Sequence, residues 1–176
     1  MTMKKLRLPI KFVGLVLCVL VSRAVAQPGV ANLELNEADR VQVFKASGAV
    51  KQKEKWVICA PPSDSGAPES AGAVIEMVRD LNGDGRPEAV VTDSGTYCYG
   101  GNETGFQLLS KQTNGGWRVM ASDNGIPEFL KSKGISGWPD ISIGGQGFCF
   151  PVQRWNGKSY ELNRFEYQGK RCKPQR

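Results

Sequence analysis

Val78-Arg79-Asp80-Leu81-Asn82-Gly83-Asp84-Gly85-Arg86-Pro87-Glu88-Ala89-Val90-Val91 sets an acidic, glycine-rich loop between two short apolar runs, residues 73–78 and 89–91. Runs this short, rich in β-branched residues and bounded by glycine and aspartate, read as strands rather than helices. Within the loop, Asp80, Asn82 and Asp84 place oxygen-bearing side chains at alternate positions, and Gly85 then permits a sharp turn. That pattern can wrap one hard cation such as calcium.

Either side of this unit the same reasoning predicts further elements. Upstream, Asn36 suits an N-cap, Glu37 and Asp39 put negative charge in the first turn, and Ala38, Val41 and Phe44 form an apolar stripe, so a helix over Glu37–Ala46 ending at Gly48 is expected. Residues 55–59 read as a strand, and 60–71, with Pro61, Pro62 and Pro68, as a loop. Downstream, Thr96–Tyr99 is expected to continue the sheet. Residues 106–111 and 117–120 flank Asn114-Gly115 as a hairpin, since Asn-Gly accepts positive φ at low cost. Pro127 followed by Gly134 suggests a short helix over 127–133. Strands are expected at 140–143, 147–154 and 159–167, the last two joined at Asn156-Gly157.

The two halves also resemble each other. Gly85-Arg86-Pro87-Glu88-Ala89-Val90-Val91 matches Gly137-Trp138-Pro139-Asp140-Ile141-Ser142-Ile143, Tyr97-Cys98-Tyr99 matches Phe148-Cys149-Phe150, and both halves close on an Asn-Gly hairpin. Asp80, Asn82 and Asp84 then correspond to Ser132, Gly134 and Ser136, so the second copy keeps the turn and lacks the acids. The expected fold is α+β and mainly antiparallel: two blade-like meanders, about 73–121 and 126–167, with one N-terminal helix and one short helix between the halves.

Residues 1–26 read as a cleaved secretory signal, with Lys4, Lys5, Arg7 and Lys11 before the apolar run 12–21 and Ala24-Val25-Ala26 before Gln27. A flexible lead-in at 27–35 and a single exported domain at 36–176 would follow. Five of the 23 basic residues lie in the signal and none of the 17 acids, so the mature chain is nearly neutral and bulk charge gives no case for nucleic acid. No membrane span is expected after cleavage. The Asn102-Glu103-Thr104 sequon matters only in a host that glycosylates secreted proteins. Cys59, Cys98, Cys149 and Cys172 suggest two disulfides; of three pairings, Cys59–Cys98 and Cys149–Cys172 are favoured because each joins neighbouring segments.

The chain has no histidine, which excludes Ser-His-Asp and Cys-His catalysis within it and the usual histidine zinc sites. For the acidic loop, Asp80, Asn82, Asp84, the Arg86 carbonyl and Glu88 are the candidate metal ligands, with water or a distant group completing the shell. An EF-hand closes on a glutamate where this chain has Val91, and its flanks are helical, so that motif is contradicted. The loop instead resembles the calcium loop of FG-GAP and VCBS repeat proteins, an Asp-x-Asn-x-Asp-Gly loop between two strands. The mature chain as a whole is similar to small exported bacterial proteins carrying one such loop. The resemblance implies a structural calcium ion on the same five residues, with Glu88 where the family more often has aspartate. The expected function is a non-enzymatic periplasmic or secreted domain that binds a protein or envelope component, with Trp138, Trp155, Tyr97 and Tyr99 as candidate contacts, although hairpin core and cross-strand packing is the expected role for most of these aromatics. The alternatives are an envelope inhibitor of a secreted hydrolase, presenting loop 60–71 or 100–105, and a carboxylate-dependent glycosidase. A tight Asp/Gly turn that binds nothing is the plain alternative for the loop itself.

Overall fold

The structure is a computed structural model and describes residues 33–66, 70–100 and 104–174. The signal at 1–26, the lead-in up to residue 32, Pro68, Asn102 and Glu103 of the sequon, and the last two residues of the chain lie outside the described residues.

Helix α1 (Glu37–Ala46) forms where its capping signals place it: the Asn36 side chain accepts the Asp39 N–H at 2.8 Å, and the Gly48 N–H returns to the Lys45 carbonyl. Its buried face is Asp39, Val43 and Phe44, not the Ala38, Val41 and Phe44 stripe expected from spacing. Asp39 turns inward because Lys111 Nζ meets its Oδ2 at 2.7 Å and Trp117 Nε1 donates to its Oδ1 at 3.3 Å. A partnered carboxylate can occupy a core-facing position that apolar spacing would assign to a hydrophobe. Just ahead of the helix, the Leu33 N–H bonds the Val78 carbonyl at 2.8 Å and Leu35 packs into the core, so these residues of the lead-in are held.

A small hairpin of β1 (Val50–Gln52) and β2 (Lys55–Val57) follows. Two antiparallel meanders make up most of the rest. The first runs β3 (Val74–Arg79), β4 (Glu88–Asp93), β5 (Gly105–Lys111) and β6 (Trp117–Asn124) in spatial order. The second runs β7 (Ile126–Lys133), β8 (Pro139–Gly144), β9 (Phe150–Trp155) and β10 (Tyr160–Tyr167), with β11 (Lys170–Arg171) added at its far edge. The fold is α+β and mainly antiparallel β.

Two expectations about elements are corrected. Residues 127–133 are strand, not helix: β7 pairs with β8 through Pro127↔Ile143, Glu128↔Ser142 and Phe129↔Ile141. Proline suits the first turn of a helix, but it also suits an edge strand, and β7 ends its sheet. Thr96–Tyr99 is a one-turn helix, α2, not strand; the Cys98 and Tyr99 N–H groups both turn back to the Gly95 carbonyl, at 3.2 and 2.9 Å. The short helix therefore interrupts the first meander instead of separating the halves.

Strand β4 explains how the layers stack. Ala89 and Val91 face Val43, Phe44 and Leu109 beneath α1, where Phe44 and Trp56 stack at 5.3 Å, whereas Val90 faces the opposite way with Phe106, Leu108, Trp138, Ile141, Ile143 and Trp155. The first sheet is thus covered by α1 and the β1–β2 hairpin on one side and by the second sheet on the other. Both favoured disulfides are formed, Cys59–Cys98 and Cys149–Cys172. In each meander one half-cystine lies between the second and third strands.

Candidate metal centre

The acidic loop leaves β3 after Arg79 and enters β4 at Glu88, two residues that face each other in the ladder. Its polar side chains fold it back on itself. Asp80 Oδ1 accepts the N–H groups of Gly83 (2.8 Å) and Asp84 (3.2 Å), while its Oδ2 accepts that of Gly85 (2.9 Å). Asn82 Oδ1 takes the Asp84 N–H and Asp84 Oδ1 takes the Arg86 N–H, both at 2.9 Å. Asn and Asp side chains commonly bond the backbone two residues on, and here Asn82 and Asp84 do so in succession, while Asp80 reaches N–H groups three to five residues on. Gly83 (φ 82°) and Gly85 (φ 80°) supply the left-handed steps that this winding needs.

Two further contacts fix the loop to the sheets. Arg86 Nη2 lies 2.5 Å from Asp84 Oδ2, and its Nε donates to the Lys111 carbonyl at 3.0 Å. On the other side, the Asn82 carbonyl abuts Gly137, where an added Cβ would lie 2.6 Å from the oxygen. The loop of the first meander thus rests on the corresponding connection of the second.

Of the five sequence-predicted ligands, Asp80, Asn82 and Asp84 share the loop with Arg86. Glu88 lies behind them, fully buried, with Oε2 accepting the Leu81 N–H at 2.7 Å and Oε1 the Ser110 hydroxyl at 2.9 Å. Burial, reinforced by the charges of Asp84 and Asp80, pushes its carboxyl up to about 7. Among the described residues, no three Asp, Glu or Cys side chains are grouped so as to hold an ion by themselves. A cation here would need oxygen donors beyond the carboxylates, and the Asn82 amide and the Arg86 carbonyl are neutral oxygens of the same loop. These are the hard oxygen donors that calcium takes, and the donor chemistry fits that ion.

The second meander has a counterpart, Asp140, at the position that aligns with Glu88. Asp140 is also fully buried, yet it is surrounded by cations: Arg154 Nε and Nη2 each donate at 2.8 Å, Arg164 Nη1 at 2.6 Å, and the Ser132 hydroxyl at 2.6 Å. Burial pushes Asp140 up, but these donors outweigh it and hold the carboxyl well below the usual range. Ser110 sits opposite Glu88 in the β4–β5 ladder, and Arg154 bonds Asp140 across β8–β9. The two meanders thus share a buried carboxylate at one position and differ in what faces it.

The aromatic candidates divide. Trp138 and Trp155 are buried between the sheets and pack on Tyr160, whereas Tyr97 is exposed. Phe148, which the sequence reading did not select, is 70% exposed. A groove of about 580 Å³ runs between β3 and β7, and Glu76 and Glu128 line it together with Met77 and Phe129.

No family model, curated protein or solved structure matches this chain. Its functional reading therefore rests on its own residues. The two disulfides are those of a protein that folds outside the reducing cytoplasm. Among the described residues no helix is long and apolar enough to cross a membrane.

Proposed function

We propose that the chain is a non-enzymatic exported domain, periplasmic or secreted, whose Asp80–Glu88 loop holds one structural calcium ion. The observation that carries this reading is the contrast between Glu88 and Asp140. Asp140 is neutralised by two guanidinium groups; Glu88 receives hydrogen bonds from an amide and a hydroxyl, neither charged, and lies beside Asp80 and Asp84. Without a cation, burial holds the Glu88 carboxyl up at about 7, and a bound cation would take the place of its proton. The resemblance of the loop to FG-GAP and VCBS calcium loops supports calcium as that partner. Bound there, the ion would tie the end of β3 to the start of β4 through Asp80, Asn82, Asp84, the Arg86 carbonyl and Glu88.

The test is thermal unfolding of mature protein, chelator-treated and then titrated with calcium. Calcium at 100 times its dissociation constant should add about 2.7 kcal/mol. For a domain of this size that shifts the midpoint by several degrees. No shift, and no heat in calorimetry, would remove the calcium reading.

The biological role proposed is binding of a protein or envelope component, for which the exposed side chains of Phe148, Ile126 and Tyr97 offer apolar contacts. One observation favours a second reading, an inhibitor of a secreted hydrolase. Asp93 is buried and accepts the N–H groups of Ile58 and Cys59 (2.9 and 2.7 Å) and the Ser70 hydroxyl (2.7 Å). With Cys59–Cys98 this anchors Cys59 and Ser70 on either side of residues 60–69, and closer anchoring of a segment's ends lowers the entropy it loses on binding. Affinity capture from envelope extract, with and without calcium, separates the readings by whether a hydrolase is retained and inhibited. The glycosidase alternative requires two carboxylates in one cleft; Glu76 and Glu128 line one groove, and turnover of cell-wall glycan lost in Glu76→Gln and Glu128→Gln would establish it.

A further inference from the structure

We infer that Arg86 is a built-in competitor for the calcium proposed above, its guanidinium sharing Asp84 with the ion and so setting the calcium concentration at which the loop fills. The inference rests on the calcium reading and concerns the regulation of that same site. Its basis is the position of one side chain. Arg86 supplies a proposed ligand through its carbonyl, yet its Nη2 lies 2.5 Å from Oδ2 of Asp84, another proposed ligand. The same oxygen also accepts Asn82 Nδ2 at 3.0 Å, so the amide of a third ligand is turned toward the carboxylate. Asp84 Oδ1 holds the Arg86 N–H, which leaves Oδ2 as the oxygen with the more easily displaced partners. A cation drawing on Oδ2 must compete with the guanidinium there.

Arg86 is suited to this role because it is anchored elsewhere. Its Nε–Lys111 bond ties the guanidinium to the end of β5, so release from Asp84 need not detach the side chain from the sheet. Both partners are partly exposed, with side-chain exposures of 38% for Arg86 and 28% for Asp84. A part-exposed ion pair of this kind is weak enough for a divalent cation to displace and strong enough to move its apparent affinity by about fivefold.

The test is calorimetric titration of calcium into chelator-treated mature wild type, Arg86→Gln, Arg86→Lys and Arg79→Gln. Melting temperatures in chelator would confirm that each variant folds. Arg79 faces Glu88 in the ladder, so its substitution reports the effect of removing a nearby positive charge in general. The expected result is binding about fivefold tighter in Arg86→Gln, with Arg86→Lys close to wild type and Arg79→Gln changed much less. Equal affinity in Arg86→Gln and wild type would overturn the inference and leave the calcium site standing. An equal gain in Arg79→Gln and Arg86→Gln would overturn it as well, since the effect would then be one of general charge. No binding to any of the four proteins would overturn the calcium reading and this inference together.

Discussion

Glu88 and Asp140 occupy matching positions at the starts of β4 and β8, and their surroundings give them opposite responses to pH. The folded value of Glu88, about 7, lies above its ordinary 4.5, so the folded protein keeps a proton that the unfolded chain has released. Its contribution to stability is complete below 4.5 and is lost as pH rises through 7, amounting to about 3 kcal/mol at most. Metal-free protein should therefore lose resistance to urea between pH 5 and pH 8, and Glu88→Gln should flatten that slope; an unchanged slope in the variant would assign it to other groups. Asp140 works in the other direction, stabilising the fold above its ordinary 3.8 and losing that effect only in stronger acid. Asp80, Asn82 and Asp84 are legible in the sequence because their geometry is local, with each bonding backbone a few residues away. The Asp140 cluster is not, because Ser132, Arg154 and Arg164 come from three other strands and no spacing along the chain announces them.

Strands and turns were legible wherever one local rule governed them. Helix α1 follows its cap, and both Asn-Gly hairpins close as their turn chemistry demands, on the pairs Lys111↔Trp117 and Trp155↔Tyr160. Strand β7 and helix α2 depart from the local cues: β7 is held by its pairing with β8, and α2 by a turn at Gly95 that is fixed by the bridge from Cys98 to Cys59. The connection between β7 and β8 shows how tightly such segments are fitted. Gly137 has φ 78° and touches the Asn82 carbonyl, so Gly137→Ala meets both a disfavoured backbone and a backbone oxygen. A loss of about 1–3 kcal/mol is expected in urea unfolding, whereas Gly145→Ala, where an added Cβ meets nothing within 4 Å, should change stability little.

The molecule as a whole is a stack of three layers, with the first meander in the middle and buried on both faces through β4. Both halves are up-and-down meanders of four strands, but their Asn-Gly hairpins differ in register, closing over five residues between Lys111 and Trp117 and four between Trp155 and Tyr160. Trp138 and Trp155 are core, as expected for most of the aromatics, but sequence patterning does not show that they fill the space between the two sheets, because their neighbours Val90, Phe106 and Leu108 lie far away in the chain. The contact between Asn82 and Gly137 has an optical consequence. Trp138 follows Gly137 directly and is buried between the sheets, so a rearrangement of the acidic loop is felt one residue away by an indole shielded from water. Calcium entering at Asp80–Glu88 should change the emission of wild-type protein, and Trp138→Phe should abolish most of that change while leaving the calorimetric heat in place.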